Sequence, residues 1–97
     1  MFARVTMSEG KSERVEAGIR SYRENVGPAA KKMAGFKGSY LLVDRKSGKM
    51  LGIALWDTEE NLRASAKAAA ELRAGVTQAA AVTKPPTVEI YEVAVQL

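Results

Sequence analysis

Apolar and polar residues repeat along the chain at two spacings, one typical of strands and the other of helices. The strand-like pattern predicts four strands: Phe2–Met7, Phe36–Asp44, Met50–Trp56 and Thr87–Val95. Residues 45–49, which include Gly48, predict a hairpin turn between the second and third strands. The register of this hairpin stays open, because a two-residue turn and a bulged turn send Tyr40 to opposite faces of the sheet.

Two segments between the strands carry apolar residues at helical spacing. The first helix begins after Ser12, whose hydroxyl suits a helix cap. The second begins at Asp57, which forms a capping box with Glu60, and Gly75 is expected to break or bend it. The residues expected to point inward from this second helix are Leu62, Ala66, Ala69, Leu72 and Val76.

The order of these elements is β-α-β-β-α-β, which defines the fold class. It predicts an α+β, ferredoxin-like plait: a four-stranded antiparallel sheet with two helices on one face. A chain of 97 residues has room for one hydrophobic core, so residues 1–97 are expected to form a single domain.

The third strand decides how the two faces of the sheet are assigned. The face expected to pack on the helices consists of Leu51, Ile53 and Leu55. The opposite face carries no charge and consists of Met50, Gly52, Ala54 and Trp56. A sheet face in contact with water normally shows polar alternation, so this second face is expected to be covered. In so short a chain a second copy is the expected cover, which predicts a homodimer.

Trp56 ends the third strand, and two very small residues, Gly52 and Ala54, share its face. Small residues beside one large ring leave space for a planar apolar or aromatic molecule, which predicts a substrate-binding pocket. The alternative is that Trp56 fills a dimer core and the small residues admit side chains of the partner.

Arg4 and Thr6 of the first strand are the nearest polar candidates for that pocket. An arginine on a covered face needs a partner, because an unpaired buried charge is unfavourable. Its partner is either a carboxylate or phenolate of a ligand, or a salt bridge to Glu89 or Glu92 of the last strand; the salt bridge is favoured.

Three further polar residues are candidates with simpler explanations. Tyr40 and Tyr91 are suited to donate hydrogen bonds to a substrate carbonyl, although both side chains also suit packing at a sheet surface. Arg73 lies near the end of the second helix, where a cation also favours the helix dipole.

The residue types that are missing limit the chemistry. The chain has no cysteine and no histidine, which removes the usual nucleophile–base pairs, the usual haem ligand and the spacing of a metal site. The net charge of +4 comes from scattered residues, so no nucleic-acid partner is expected. No apolar run is long enough for a membrane, and a cytoplasmic location is expected.

Three segments in this order of elements resemble the antibiotic biosynthesis monooxygenase family: Gly35-Phe36-Lys37-Gly38, Asp44-Arg45-Lys46-Ser47-Gly48-Lys49 and Leu55-Trp56-Asp57-Thr58-Glu59-Glu60. The resemblance covers essentially the whole chain. It implies the dimeric α+β-barrel fold, in which two plaits close their open sheet faces together.

The resemblance also implies roles for single residues. Trp56 matches the family's active-site tryptophan, and Arg73, in the segment 70–73, matches an arginine that the second helix supplies to the cleft. Gly52 stands where an asparagine is expected, and Leu62 where a tyrosine is expected. The histidine of that group is absent, and the haem-degrading branch, which needs a histidine ligand, is disfavoured.

These expectations lead to two functions. The first is a cofactor-independent monooxygenase that acts on a small aromatic, anthrone or quinol-like substrate in a cleft between sheet and helices, with Trp56 and Arg73 as catalytic residues. The second is a non-catalytic dimer of the same fold that binds a small apolar ligand. A regulatory plait that binds an amino acid is a weaker alternative.

Overall fold

The four strands form one antiparallel sheet. The computed structural model describes all residues 1–97. Its strands are β1 (Phe2–Glu9), β2 (Phe36–Asp44), β3 (Lys49–Trp56) and β4 (Thr87–Glu92). They lie in the order β2-β3-β1-β4. With the helices on one face, this confirms the predicted α+β, ferredoxin-like plait.

The first helical region changes its winding along its length. A 3₁₀ turn (Ser12–Arg14) leads into α1 (Val15–Ser21), a π-helical turn (Tyr22–Val26) follows, and α2 (Gly27–Ala30) ends the region. The expected cap is wrong, because the Ser12 hydroxyl contacts the Glu13 carboxylate and no backbone amide of the helix.

The second helical region consists of α3 (Glu59–Ala64) and α4 (Ala66–Ala79). Its cap is Thr58, whose Oγ1 accepts a hydrogen bond from the backbone N–H of Asn61 at 3.1 Å, so the predicted Asp57–Glu60 capping box is wrong by one residue. Asp57 instead accepts a hydrogen bond from the side chain of Asn61.

The helix breaks at Ser65 and continues through Gly75, which corrects the expected position of the break. The backbone N–H of Ser65 donates to the carbonyl oxygens of both Asn61 and Leu62, and its hydroxyl also donates to Leu62 at 2.6 Å. These local bonds end α3 in a tight turn before α4 begins at Ala66.

The helices pack on the face of β3 that carries Met50, Gly52, Ala54 and Trp56, so the predicted assignment of the two faces is reversed. Met50 forms a buried cluster with Val76 of α4 and Ala80. Because residues 50–56 of β3 carry no charge on either face, the apolar pattern of this segment could not distinguish the side that meets the helices.

The other face of the sheet is open to solvent and apolar at its centre. It presents Leu51 and Ile53 of β3 together with Tyr40, Leu42 and Met7, of which Tyr40 is 61% exposed and Leu42 49% exposed. We call this surface the open face. Uncovered apolar side chains of this kind mark a surface that another molecule normally covers.

The β2–β3 hairpin settles the register that the sequence left open. Asp44 pairs with Lys49, so four residues form the turn, and Gly48 takes a positive φ of 83°. Backbone hydrogen bonds from Lys46 and Ser47 lower the pKa of the Asp44 carboxyl. This register places Tyr40 opposite Ile53, on the open face.

No helix combines the length and the apolar character that crossing a membrane would require.

Candidate functional site

A cavity of about 100 Å³ lies between the sheet and the helices. Its floor is formed by small side chains of β1 and β3: Thr6, Gly52 and Ala54. Its other walls are mainly apolar residues of the helical regions and the segment before β2, among them Tyr22, Val26, Met33, Leu72 and Val76. A mostly apolar cleft with a few polar groups is the usual form of a small-molecule site.

Trp56 forms one wall of the cavity and is only 2% exposed. The ring of Phe36 packs edge-on against it, with the ring centroids 5.3 Å apart and the planes at 69°. The indole Nε1–H of Trp56 is buried and has no hydrogen-bond partner in the protein. A buried donor without a partner is unfavourable in the protein alone.

Arg4 extends from β1 into the same region and is 6% exposed. Its Nη2 donates hydrogen bonds to the carbonyl oxygen of Leu62 at 2.8 Å and to Oγ of Ser65 at 2.9 Å. The Arg4 Cζ lies 5.9 Å from the centroid of the Trp56 ring, within the range of a cation–π contact. The break between α3 and α4 therefore fixes the guanidinium beside the indole.

No carboxylate pairs with Arg4. The only salt bridges in the structure join Arg45 to Glu16 and Arg63 to Glu59. The expected salt bridge from Arg4 to Glu89 or Glu92 is therefore wrong. The carbonyl at the end of α3 and the Ser65 hydroxyl take the place of that carboxylate as hydrogen-bond acceptors.

Arg73 of α4 lines the cavity as a second cation. Burial lowers its pKa, and burial followed by the positive charge of Arg73 lowers the pKa of Arg4. No aspartate or glutamate lines the cavity. The site is therefore an apolar cleft with two arginines and no compensating acid.

Six of the eight predicted site residues line this cavity: Arg4, Thr6, Gly52, Ala54, Trp56 and Arg73. Tyr40 and Tyr91 do not. Tyr40 pairs with Ile53 and Tyr91 with Ala3, and all four residues belong to the open face. The four-residue hairpin turn fixes the side of Tyr40, and the register of β1 with β4 fixes the side of Tyr91.

Two residues with a part in the site were not predicted from the sequence. Phe36 packs on Trp56 because the two residues are cross-strand partners, a relation that depends on the hairpin register. Ser65 holds Arg4, and the one available signal was a small polar residue at the centre of an otherwise alanine-rich helical segment.

Groups of histidine, cysteine, aspartate or glutamate that would suit a metal ion do not occur in the structure. The polar groups of the cavity are the two arginines and several hydroxyl side chains.

Solved structures establish the fold of the chain. A monooxygenase from the gene ActVA-Orf6 of Streptomyces coelicolor, in complex with nanaomycin D, aligns over 99% of this chain and 89% of its own, with a TM-score of 0.81 and 16% identity. An antibiotic biosynthesis monooxygenase aligns over 96% of this chain and 98% of its own, with a TM-score of 0.73 and 18% identity. The resemblance noted in the sequence is thus confirmed as a shared fold, that of the antibiotic biosynthesis monooxygenases.

Sequence comparison identifies a relative with no assigned activity. The uncharacterized protein Rv2557 of Mycobacterium tuberculosis is 35% identical over 94 residues, which are 97% of this chain and 41% of that protein. The chain therefore spans about two fifths of the length of this curated relative. No protein-family model matches the chain.

Proposed function

We propose that the chain is a cofactor-independent monooxygenase of the antibiotic biosynthesis monooxygenase family, acting on a small aromatic, anthrone or quinol-like substrate. The cavity between sheet and helices is the proposed active site. One observation carries the proposal: an apolar cleft brings Trp56, Arg4 and Arg73 together with no acid beside them. Further support comes from the fold shared with proteins named as monooxygenases.

The reaction places modest demands on the protein. An anthrone that loses a proton from its ring CH₂ becomes an electron-rich enolate, which molecular oxygen can oxidise. In the overall change CH₂ and O₂ become C=O and H₂O, so one oxygen atom enters the product and the other leaves as water. The protein has to hold the ring system away from bulk water and stabilise the anion.

The residues of the cavity suit those tasks. The Trp56 ring offers a flat surface for stacking, and Gly52 and Ala54 leave room beside it. Arg73 and Arg4 favour the enolate over the neutral substrate, which lowers the substrate pKa without a histidine base. Thr6 is a further polar group on the floor of the cavity.

Oxygen uptake with anthrone tests this function. The purified protein, dialysed against a chelator, should consume oxygen above the rate of buffer alone and form the corresponding quinone. Arg73→Ala and Trp56→Phe should each lower that rate about tenfold or more, equivalent to at least about 1.4 kcal/mol of transition-state stabilisation. Arg20→Ala, an exposed arginine on α1, serves as the control. Uptake that neither variant changes would refute the assignment.

Ligand binding without turnover is the alternative function, and two positions favour it. Gly52 in the cavity and the buried Leu62 replace the asparagine and tyrosine that the family resemblance implies, so neither position offers the implied polar group. Binding of an aromatic compound in the cavity together with no oxygen uptake would support this alternative.

We also propose that the protein forms a homodimer in which the open faces of two copies cover each other. A cytoplasmic location stays a prediction. Support for the dimer comes from the exposure of Leu42, Tyr40 and Met7 on a sheet face that is apolar at its centre. Two such faces packed together would form a sandwich of sheets.

A further inference from the structure

The charge of the cavity is unbalanced. Arg4 and Arg73 both line it, and none of its 19 lining residues is acidic. Arg4 lies away from bulk water, where an unpaired cation is unfavourable unless an anion or several hydrogen bonds compensate it. Its partners in the protein, a carbonyl and a hydroxyl, are neutral.

The guanidinium of Arg4 is held in place by the protein, and some of its N–H groups have no hydrogen-bond partner in the protein. Both of its hydrogen bonds to the protein come from Nη2, so Nη1 and Nε make none. A guanidinium presents its N–H groups in a planar fork that matches the two oxygens of a carboxylate. The junction of α3 and α4 therefore holds one edge of this fork and leaves the remaining donors for a ligand.

The rest of the cavity is mainly apolar and suits an aromatic ring. Gly52 and Ala54 provide a flat floor, and Trp56 provides a wall with one unpartnered indole N–H. A ligand with a ring system and one negatively charged group would match both the apolar walls and the two arginines.

We propose that the cavity binds its substrate as a preformed anion, an aromatic carboxylate, and that Arg4 and Arg73 bind the carboxylate group. This deepens the proposed function by naming the substrate class of the same cavity. The two proposals differ in when the negative charge arises. Enolate stabilisation needs the charge only during the reaction, whereas this proposal requires a ligand that is already charged before it binds. It holds whether or not the bound acid is oxidised.

A matched pair of ligands isolates the charge. We would compare 2-naphthoate with 2-naphthamide, which has the same ring and nearly the same shape but is neutral. Trp56 is the only tryptophan, so its single indole N–H signal in a ¹⁵N–¹H spectrum reports binding in the cavity. Titration at neutral pH gives a dissociation constant for each compound. A ring series from benzoate to 2-anthroate, each with its amide, covers ligands of different size.

The acid should shift the indole signal and bind at least about tenfold more tightly than the amide. Arg4→Met and Arg73→Met should each remove most of that preference by weakening the binding of the acid far more than the binding of the amide, whereas Arg20→Met should alter neither affinity. Arg73 is less buried than Arg4, so its variant keeps the test valid if Arg4→Met fails to fold.

Equal affinity for acid and amide would overturn the proposal. So would a preference for the acid that survives in the Arg4→Met, Arg73→Met double variant, or the absence of an indole shift with every acid at millimolar concentration. The result is separable from the proposed oxygenase function. If the protein prefers the acid but consumes no oxygen, only the oxygenase function is refuted. If it oxidises anthrone but does not prefer the acid, only the binding of a carboxylate is refuted.

Discussion

Arg4 of β1 donates a hydrogen bond from Nη2 to Oγ of Ser65, 2.9 Å away, at the junction of α3 and α4. Both residues are buried, and 61 positions separate them in the chain. The same Ser65 hydroxyl donates to the carbonyl oxygen of Leu62, which also accepts from Arg4. One serine therefore ends a helix, connects it to the sheet and orients a cation beside Trp56.

Ser65→Ala should destabilise the protein by about 1–3 kcal/mol, because it leaves a buried donor of Arg4 with one acceptor fewer. In a domain of this size that loss lowers the melting temperature by several degrees, which thermal unfolding followed by circular dichroism would measure. Ser12→Ala changes an exposed serine and should have almost no effect. Equal melting temperatures for Ser65→Ala and the unchanged protein would contradict this role.

Gly52→Val should weaken ligand binding without loss of stability. A Cβ at Gly52 would meet only the Thr6 Cβ, at 3.9 Å, so the first side-chain atom fits without a clash and the γ-methyl groups of valine are expected to occupy cavity space. Glycine inside a strand is unfavourable and valine suits a strand, so the free energy of unfolding should stay the same or rise by about 0.5–1 kcal/mol.

Affinity for 2-naphthoate should fall about tenfold or more in Gly52→Val, as measured on the Trp56 indole signal. Thr87→Val places the same side chain on the open face and is the control, with unchanged affinity expected. Undiminished binding in Gly52→Val would place the ligand elsewhere.

The sequence was sufficient to predict the four strands and their order along the chain, because the spacing of apolar residues determines those features directly. It was not sufficient to assign the sheet faces. On β3, Leu51, Ile53 and Leu55 alternate with residues that are equally uncharged, so the pattern shows two apolar faces without showing which one meets the helices.

The hydrogen-bond partners within the site could not be predicted from the sequence either. The partners of Arg4 are a backbone carbonyl and a serine at a helix break, and neither leaves a charge pattern that a reading of the sequence can detect. The side occupied by Tyr40 depended on the length of the hairpin turn, which several turn types fit equally well.

Ala81→Gly should stabilise the protein. Ala81 has a positive φ of 58°, and the N–H groups of Ala81 and Val82 bond to the carbonyl oxygens of Gln78 and Thr77, the Schellman pattern that ends α4. The left-handed conformation is unfavourable for alanine by about 1–2 kcal/mol, and glycine gives back about 0.4–1 kcal/mol through its freer unfolded chain.

The net gain from Ala81→Gly is expected to be about 0.5–1 kcal/mol in urea denaturation. Ala70→Gly, at an exposed position inside α4, should change stability by a similar amount in the opposite direction. Destabilisation by both substitutions would show that the backbone at residue 81 is not strained.

Asn61→Ala should raise the pKa of the Asp57 carboxyl. The side-chain hydrogen bond from Asn61 Nδ2, 2.9 Å from Asp57 Oδ1, is the largest cause of its lowered pKa. A carboxyl with a lowered pKa in the folded state contributes stability above its unfolded pKa, near 3.9, and loses it as the pH falls through the folded value. The stability difference between the two proteins should therefore be full near neutral pH and shrink below about pH 4.

Carbon-detected NMR titration of the aspartate carboxyl groups would measure the change at Asp57. Asp44 provides an internal control, because its lowered pKa arises first from the backbone N–H groups of Lys46 and Ser47, which the substitution leaves in place. A titration of Asp57 that Asn61→Ala does not alter would rule out this hydrogen bond as the cause.

Leu42→Lys should separate the proposed homodimer into folded monomers. Leu42 pairs with Leu51 on the open face and is 49% exposed in the single chain, so a lysine there is tolerated in the monomer but places like charges in an apolar interface. Light scattering coupled to size exclusion should give the dimer mass for the unchanged protein and the monomer mass for Leu42→Lys. The control is Thr83→Lys, at an exposed position in the loop before β4, which should keep the dimer mass. A monomeric unchanged protein, or a Leu42→Lys variant that stays dimeric at the same concentration, would show that the open face is not the interface.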